Sequence, residues 1–455
     1  MNAADAEIAA LIERYAAPVP RYTSYPTAPH FHPGIAAQSY RDWLSALPET
    51  ARLSLYMHVP FCDTLCWFCG CHTKITRQYA PVEAYLHALT HEIDTIARLV
   101  PAEARVSHIH WGGGSPTMLH GPDILRLAEA TRHAFSLADD CEFAVEIDPR
   151  GMDKARVDAL AEAGLTRVSL GVQDFDPAVQ QAINRIQTLD ETRRVLDAFR
   201  DKGVRSLNID AIYGLPGQTD AKLIATLEAV VALKPDRLAV FGYAHVPWMK
   251  KHQTMINEAD LPDPVARFHQ ARLAADFLVD AGYCRIGLDH FALPHDVMAE
   301  AAVAGVLQRN FQGYTVDPAD ALLGLGASSI GKLPQGYVQN EGAIAEYQRR
   351  VARGGLATTR GVALTRDDEV RNFVIERLMC DLALDRAVLV DRFGADALGV
   401  IATIGEIIRD DRDALVGETA TGFRVTERGR PFLRTIAARF DAYLVRQQAR
   451  HSLAV

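Results

Sequence analysis

The sequence predicts an α/β fold built around a parallel sheet, and three observations support this. Short β-rich segments alternate with amphipathic helical patterns from residue 53 onward. Several helical patterns end in glycine, the favoured residue after a helix, as at Gly164, Gly203 and Gly282. Polar and glycine-rich residues follow the strands. Repeated β-then-α units indicate a parallel sheet, and six or seven suit a barrel or partial barrel, although the spacing alone also permits a doubly wound sheet.

The elements divide the chain into three predicted parts. The N-terminal residues MNAADAEIAALIERYAAP are typical of a short amphipathic helix and lack the features of a signal peptide. The candidate strands are then 53–59, 106–112, 142–148, 167–173, 206–214, 237–244 and 284–291. After about residue 355, helices are followed by a strand pair and another helix, a pattern that resembles a winged-helix unit. We predict an N-terminal arm over 1–50, an α/β unit over 51–355 and a smaller, mostly helical domain over 365–455.

Composition excludes several classes of function. The chain has 455 residues, is 49% hydrophobic and carries 57 acidic against 48 basic side chains, a net charge of −9. Lysine and arginine form no block, so we expect no nucleic-acid partner. A run of about 18 apolar residues is lacking, so we expect no membrane span. We expect a cytoplasmic monomer, whose cysteines are then reduced thiols.

Four cysteines fall within ten positions in HVPFCDTLCWFCGCHT: Cys62, Cys66, Cys69 and Cys71. In a reducing compartment such thiols are metal ligands or catalysts more often than disulfides. Structural zinc usually takes two separated pairs of ligands, which are absent from this motif. A 4Fe-4S cluster fits better, because CxxxCxxC supplies three thiolates for four irons and leaves one iron open.

Further polar motifs stand where predicted strands end. WGGGSPT follows the second strand, EIDPR the third and Gln173-Asp174 the fourth, while Asp210 lies in the fifth. In parallel α/β folds the carboxyl ends of the strands form the active-site face, so these residues should converge as they do in an enzyme. Taken singly, Glu146, Arg185 and Asp210 could equally be surface charges or helix caps.

The motifs carry a resemblance to known proteins. CDTLCWFC after the first strand, with WGGGSPT after the next, resembles the radical S-adenosylmethionine (SAM) superfamily. The chain further resembles the family of oxygen-independent coproporphyrinogen III oxidases, through PRYTSYPT, YMHVPFCDTLCWFCGCHT, HWGGGSPT, VEIDPR, SLGVQDF, NIDAIYGLPGQT, FGYAHVPW, GLDHFA and RNFQGYT in family order.

The resemblance implies a partial (βα)6 radical-SAM barrel with one 4Fe-4S cluster and two SAM molecules. By motif, the cluster ligands are Cys62, Cys66 and Cys69. The first SAM would contact Tyr56, Gly113, Glu146 and Ile330. The second would contact Phe68, Gly114, Ser115, Gln173, Arg185, Asp210 and Ala244. Cys71 is a candidate catalytic residue that could donate a proton or electron or contact the second SAM or the substrate, and it could equally be a bystander thiol.

The implied reaction converts two propionates of coproporphyrinogen III to vinyl groups, giving protoporphyrinogen IX and two CO2 in haem biosynthesis. It requires a reductant such as flavodoxin or ferredoxin and an electron acceptor that the sequence does not identify. Hypothetical substrate contacts are Arg21, Tyr22, Tyr25, Arg309, Phe311 and Tyr314, although the aromatic-rich PRYTSYPT could equally be a structural arm packed on the barrel. The alternative is a non-enzymatic haem-binding chaperone of the same superfamily. Those proteins usually lack the PRYTSYPT arm and a cysteine equivalent to Cys71, and they carry HNxxYW where this chain has RNFQGYT.

Overall fold

The computed structural model describes residues 3–444 of the chain. Its helices, in chain order, are α1 (Ala3–Tyr15), α2 (Ala37–Ser45), α3 (Ala80–Ala97), α4 (Gly121–Ala134), α5 (Lys154–Glu162), α6 (Pro177–Ala182), α7 (Leu189–Asp201), α8 (Asp220–Ala232), α9 (Pro264–Asp280), α10 (Val297–Ala304), α11 (Ile344–Ala352), α12 (Arg366–Asp381), α13 (Arg386–Phe393), α14 (Leu398–Asp410) and α15 (Leu433–Ala438). The ends of the predicted arm and C-terminal domain, residues 1–2 and 445–455, lie outside the described residues.

The strands alternate with the first nine helices and then continue into the C-terminal part of the chain. They are β1 (Arg52–Val59), β2 (Phe61–Cys62), β3 (Lys74–Ile75), β4 (Arg105–Gly113), β5 (Leu137–Ile147), β6 (Arg167–Gln173), β7 (Ser206–Tyr213), β8 (Arg237–Gly242), β9 (Cys284–Ile286), β10 (His290–Ala292), β11 (Gln308–Asn310), β12 (Gly313–Thr315), β13 (Ala321–Leu325), β14 (Ile330–Leu333), β15 (Gly336–Asn340), β16 (Thr358–Ala363), β17 (Ala383–Asp385), β18 (Val416–Glu418) and β19 (Gly422–Val425).

One large sheet forms the centre of the molecule. Its order is β16-β15-β14-β13-β1-β4-β5-β6-β7-β8-β10-β9, and β1, β4, β5, β6, β7 and β8 are parallel neighbours. These six strands follow one another in chain order, so the strand order never reverses as it does in a doubly wound sheet. In the described part of the chain β8 does not pair with β1, so the sheet stays open. The architecture is a partial (βα)6 barrel.

The predicted seventh strand over 284–291 is wrong as a single element. Two short strands, β9 and β10, occupy this stretch and pair antiparallel to each other, and β10 also pairs antiparallel to β8. Gly287 lies between them with a φ of +53°, a left-handed conformation that favours glycine and interrupts the extended chain. The pair therefore extends the edge of the sheet instead of adding a seventh parallel unit.

Local sequence signals fix where the helices begin and end. The side chain of Thr188 accepts a hydrogen bond from Glu191 N–H at the start of α7, as an N-cap does. Gly164, Gly203 and Gly282 follow α5, α7 and α9 with φ of +81°, +84° and +94°. These positive φ values confirm the predicted helix ends.

The barrel strands present polar side chains on one face. In β6 the half-buried positions are Arg167, Ser169, Gly171 and Gln173, which alternate with fully buried residues. The same period in β7 leaves Asn208 and Asp210 half-buried, and Asn208 is in register with Ser169. Because alternate residues of a strand share a face, the inner face of the barrel is a polar surface suited to a ligand, whereas the outer face packs under the helices.

Two hydrophobic cores hold the molecule together. The larger one lies between the sheet and helices such as α3, α4, α7 and α8. The second joins α12–α15 to the N-terminal arm, with Ile8 and Leu11 of α1 and with Tyr22 and Tyr25. The Tyr22 hydroxyl donates to Asp441 at 3.0 Å. Thus the first and last described segments of the chain share one core. No helix in residues 3–444 combines the length and apolar character needed to cross a bilayer.

Candidate active site

The cysteine loop leaves the carboxyl end of β1 and is fastened on two sides. On one side, Trp67 N–H donates to Ile183 O at 2.9 Å, and the amide of Asn184 donates to Leu65 O at 2.8 Å. The indole of Trp67 and the ring of Phe68 also pack against the cluster of buried side chains that contains Ile183. These contacts fix the loop against the segment after α6.

The other side of the loop is held by the segment that follows β8. Gln253 donates to Phe68 O at 2.9 Å, and the ring nitrogen Nε2 of His252 donates to Cys69 O at 2.8 Å. Gln253 also donates to Ala244 O at 3.3 Å. Phe68 and Ala244, which the family motif assigns to one SAM, are therefore joined through Gln253.

Each of the three predicted cluster thiols accepts a hydrogen bond. Thr73 Oγ1 donates to Cys62 Sγ at 3.2 Å, and Cys71 N–H donates to Cys69 Sγ at 3.3 Å. Arg150 and Arg185 place guanidinium nitrogens 3.5 and 3.6 Å from Cys66 Sγ. Such donors stabilise negative charge on sulfur and tune the potential of an iron–sulfur cluster.

The thiols differ in acidity because their surroundings differ. Burial raises the pKa of the Cys62 thiol to about 12. Hydrogen bonding from Cys71 lowers the pKa of the Cys69 thiol. Among the described residues, no three His, Cys, Asp or Glu side chains converge on the position of a single metal ion. Three separate thiols, each with its own hydrogen-bond donor, suit a cluster in which each thiolate binds a different iron.

The glycine segment after β4 forms a close-fitting cradle, in which an added Cβ at two of the glycines would collide with neighbouring side chains. A Cβ on Gly112 would lie 2.7 Å from the Glu146 carboxyl carbon, and one on Gly113 would lie 2.6 Å from the His58 ring. Gly113 also has a φ of +114°. The segment is tied to the cysteine loop, because Ser115 N–H donates to Phe61 O at 2.7 Å. Glycine is therefore required at these two positions, because Glu146 and His58 occupy the space that a side chain would take.

Glu146 lies at the centre of the cradle. Its Oε2 accepts from Gly113 N–H at 3.1 Å, and its Oε1 accepts from His110 Nε2 at 3.1 Å. Burial acts to raise the pKa of Glu146, but the bonds from His110 and Gly113 and the nearby His58 outweigh it and hold that pKa below its ordinary value. The side chain is thus an anion at neutral pH, able to accept from an ammonium group.

Tyr56 on β1 and Ile330 on β14 lie on the two strands that flank β13 in the sheet. Tyr56 is in register with Gly324, and a Cβ on Gly324 would lie 2.7 Å from the backbone of Ile330. The Tyr56 hydroxyl and His58 Nδ1 are 3.1 Å apart. His58 Nε2 donates to the carbonyl of His72, so Nδ1 accepts from Tyr56, and burial lowers the pKa of His58 to about 4.

Arg185 is held by an ion pair next to the cluster loop. Its guanidinium contacts both carboxylate oxygens of Asp148 at 3.2 Å and donates to Gly171 O at 2.5 Å. Burial acts to raise the pKa of Asp148, but Arg185 and Arg150 lower it below its ordinary range. Gln173 follows Gly171 on the same face of β6 with a φ of +70°.

Asp210 faces the barrel interior from β7. It accepts from Asn208 at 2.8 Å and from Ser169 at 3.1 Å. Burial raises the pKa of Asp210 to about 6, with the Glu146 charge acting in the same direction. The carboxylate lacks a cationic partner among its hydrogen-bond contacts in the described part of the chain, which leaves it ready for a ligand cation.

Two cavities meet at Cys71. The smaller, of about 300 Å³, is lined by His110, Glu146 and Asp210, and the larger, of about 890 Å³, by Ala244 and the N-terminal arm. Cys71 lines both of them. The site therefore joins the barrel interior to a wider chamber that the arm and the C-terminal segment cover.

The larger cavity is rich in arginine. Its lining contains seven arginines against four carboxylates. Arg267 and Arg285 each bury an Nε that has no hydrogen-bond partner in residues 3–444. Burial, with the nearby charge of Arg430, lowers the pKa of Arg285 to about 10. Guanidinium groups with unpartnered donors favour a ligand with several carboxylates.

The hypothetical substrate contacts divide between this cavity and the core. Arg21, Arg309 and Phe311 line the larger cavity. Tyr22 and Tyr25 are buried in the second core instead, and Tyr314, also buried, lines the smaller cavity. The tyrosines of PRYTSYPT thus hold the arm in place, while its arginine points to the chamber.

Comparison with known protein families first gives the class of this fold and site. The family model described as the Radical SAM superfamily matches residues 56–230, which include the cysteine loop, the glycine cradle and Asp210. The HemN C-terminal domain model matches residues 364–432. The protein is a radical SAM enzyme.

Comparison with individual relatives shows which family within this class the chain belongs to. The chain is 48% identical over 425 residues to the oxygen-independent coproporphyrinogen III oxidase of Paracoccus denitrificans, covering 93% of this chain and 94% of the relative. It is 42% identical over 449 residues to that of Escherichia coli, with 97% and 96% covered. A solved structure described as coproporphyrinogen III oxidase (HemN) from Escherichia coli, a radical SAM enzyme, superimposes with a TM-score of 0.90 at 40% identity, covering 96% and 98% of the chains. The chain belongs to the family of oxygen-independent coproporphyrinogen III oxidases.

Sequence reasoning missed several residues of the site. In EIDPR, Asp148 pairs with Arg185 and with Arg150, and Arg150 also donates to Cys66 Sγ. The signal in the sequence is the group of three charged residues in EIDPR at the end of a predicted strand. Arg267 lies on α9 and Arg285 on β9, in stretches that carry no recognisable motif. Their convergence depends on the packing of the barrel edge against the arm and C-terminal segment.

Proposed function

We propose that this protein converts two propionate side chains of coproporphyrinogen III to vinyl groups without oxygen, giving protoporphyrinogen IX and two CO2. The observation that supports this substrate most directly is the arginine-rich cavity that begins at Cys71. Coproporphyrinogen III is an apolar macrocycle with four carboxylates. Arg21, Arg267, Arg285 and Arg309 can bind carboxylates, and Phe311 offers an aromatic face.

Three thiols of the loop are proposed to bind one 4Fe-4S cluster: Cys62, Cys66 and Cys69. The hydrogen-bond donors to their sulfur atoms, which include Thr73 and Arg185, suit a cluster that must accept an electron. The fourth iron is left for SAM. Structural zinc usually takes two separated pairs of ligands, whereas the thiols of this loop stand in one compact run.

The cradle around Glu146 is proposed to hold the first SAM. Glu146, as an anion, would accept from the methionyl ammonium, and Gly113 N–H holds its carboxylate in position. Tyr56 on β1 and Ile330 on β14 are the other proposed contacts of this SAM. When bound together, the reduced cluster and SAM supply the 5′-deoxyadenosyl radical that removes a hydrogen atom from a propionate.

A second SAM is proposed beside the first, since each vinyl group formed uses one SAM. Its proposed contacts are Phe68, Gly114, Ser115, Gln173, Arg185, Asp210 and Ala244. Asp210 would accept from a ribose hydroxyl or an ammonium group. Cys71, which lines both cavities, is proposed as the catalytic thiol nearest the substrate. Loss of CO2 leaves one electron per propionate, which passes to an acceptor of unknown identity.

Further parts of the proposal concern partners and organisation. We expect a low-potential one-electron donor such as flavodoxin or ferredoxin, no nucleic-acid partner and a cytoplasmic location. We keep the division into an arm over 1–50, a barrel over 51–355 and a C-terminal domain over 365–455. A haem-binding chaperone is not favoured, because relatives that share more than 40% of their residues with nearly the whole chain are named as oxidases.

Strictly anaerobic turnover tests the function. Cluster-reconstituted protein, SAM, dithionite and coproporphyrinogen III are mixed, and oxidised product is followed by protoporphyrin fluorescence. We expect product with the wild type and with Cys141→Ala, a cysteine remote from the loop, but none with Cys62→Ala. SAM cleavage by an intact cluster without porphyrin product would overturn the substrate assignment.

A further inference from the structure

The segment after β8, residues 246–256, exposes large apolar side chains beside the cysteine loop. Trp248 is 47% exposed, Met249 65% and Met255 59%. Ile186, in the segment that fastens the opposite side of the loop, is 58% exposed. Aromatic and methionine side chains are enriched in protein interfaces, and an exposed group of them marks a binding surface.

This segment is connected directly to the backbone that carries the thiols. Lys250 Nζ donates to Cys71 O at 3.0 Å, and His252 donates to Cys69 O at 2.8 Å. Gln253, buried, donates to Phe68 O. A partner seated on Trp248 and Met249 would therefore lie one side-chain contact away from the loop proposed to hold the cluster.

The charge of this surface is opposite to that of the chain. Residues 246–256 contain Lys250 and Lys251 and no acidic residue, and residues 61–78 contain Lys74 and Arg77 against one carboxylate, Asp63. The chain as a whole carries a net charge of −9. Glu258, the nearest carboxylate after the segment, is paired with His245 at 3.0 Å. A basic surface on an acidic protein steers acidic partners toward it.

We propose that residues 246–256, with the outer edge of the cysteine loop, form the docking surface for an acidic protein that delivers single electrons to the cluster. The inference rests on the proposed function, which requires a reduced cluster. The apolar residues would form the centre of the contact and the lysines its rim. One electron passes from the reduced carrier to the oxidised cluster, and no bond is made or broken.

The test compares a protein donor with a small one. Reconstituted holoenzyme is mixed anaerobically with flavodoxin hydroquinone, an acidic carrier, or with dithionite, and cluster reduction is followed by loss of visible absorbance in a stopped-flow instrument. The variants are Lys251→Glu and Trp248→Ala, at exposed positions that make none of the contacts to the loop. Arg205→Glu, exposed just before β7 at the opposite end of the barrel, is the matched charge control.

We expect the second-order rate with flavodoxin to fall about tenfold in Lys251→Glu and to depend less on salt, since a rim charge acts on association. Trp248→Ala should slow the same reaction, while dithionite reduces all variants at the wild-type rate. Unchanged rates with flavodoxin in both variants, or an equal fall in Arg205→Glu, would overturn the docking surface. Loss of reduction by dithionite in either variant would also overturn it, because the residue then acts on the fold. Product formation with dithionite tests the proposed function separately.

Discussion

The backbone N–H of Gly113 donates a 3.1 Å hydrogen bond to Glu146 Oε2. This bond joins the end of β4 to the end of β5, and it leaves Glu146 Oε1 to His110. The carboxylate is thus fixed in position and kept ionised before any ligand arrives.

Replacing Glu146 with Gln should weaken SAM binding while the cluster remains. The amide keeps the shape of the side chain but loses the negative charge that a methionyl ammonium would meet. We expect the Kd for SAM to rise about tenfold, or ~1.4 kcal/mol. Equilibrium dialysis measures this, with iron content as the control, and an unchanged Kd would remove Glu146 from the SAM site.

Gly113→Ala should lower the free energy of unfolding and the affinity for SAM far more than Gly70→Ala, which lies in the same region. Gly113 has a φ of +114° and its Cβ would lie 2.6 Å from the His58 ring, whereas a Cβ on Gly70 would meet nothing within 4 Å. We expect a loss of about 1–3 kcal/mol in the free energy of unfolding for Gly113→Ala, with loss of SAM affinity. Chemical denaturation and SAM binding check both. Equal effects of the two substitutions would contradict the cradle.

Arg185→Ala should make the reduction potential of the cluster more negative. The change removes a positive donor 3.6 Å from Cys66 Sγ and leaves Asp148 paired with Arg150 alone. Both effects disfavour an added electron. A potentiometric titration followed by electron paramagnetic resonance gives the midpoint, with Arg185→Lys expected to lie between the two proteins. A midpoint equal to that of the wild type would show that Arg185 does not act on the cluster.

Asp210 should make the protein less stable as the pH rises. An aspartate in an unfolded chain titrates near 3.9, whereas the pKa of Asp210 in the fold is about 6. Between these values the folded protein keeps a proton that the unfolded chain has released, so the free energy of unfolding falls with rising pH. Relative to Asp210→Asn, the wild type should lose roughly 1 kcal/mol between pH 5 and pH 7. Denaturant titrations without SAM measure this, and parallel curves for the two proteins would refute it.

Arg267→Gln should raise the KM for coproporphyrinogen III and leave SAM cleavage intact. Arg267 lines the larger cavity with an unpartnered Nε, and its other contact is to Tyr243 O at 2.8 Å. Loss of a charge-assisted bond to a carboxylate, about 1.5–3 kcal/mol, corresponds to a tenfold or greater rise in KM. Arg21→Ala tests the arm in the same assay. If neither KM changes, the substrate carboxylates bind elsewhere.

Most of the barrel could be predicted because its signals are local. The alternation of β6 and β7 and the glycines after α5 and α7 lie within single elements. The prediction of one strand over 284–291 is wrong because the chain turns at Gly287 so that β10 can pair with β8, and periodicity does not record such pairing. Tyr22 and Tyr25, two of the hypothetical substrate contacts, pack against the C-terminal segment, and the local sequence pattern carries no signal of so distant a partner.

The polar site divides in the same way. Cys62, Gly113 and Glu146 stand in motifs through which the family resemblance marks them as candidates for the site. The ion pair between Arg185 and Asp148 depends on how the segment after α6 packs against the end of β5. Arg267 and Arg285 are ordinary charged residues in their own elements, and only packing between the barrel edge, the arm and the C-terminal segment gives them a shared cavity.

The hydroxyl of Tyr22 and the carboxylate of Asp441 are separated by 419 positions along the chain. During synthesis on a ribosome the arm emerges before the whole barrel and long before its partner, so it stays unpaired while the barrel is translated. The arginine chamber is lined both by the arm and by the segment around Arg428 and Arg434, so it can be completed only after that later segment has left the ribosome.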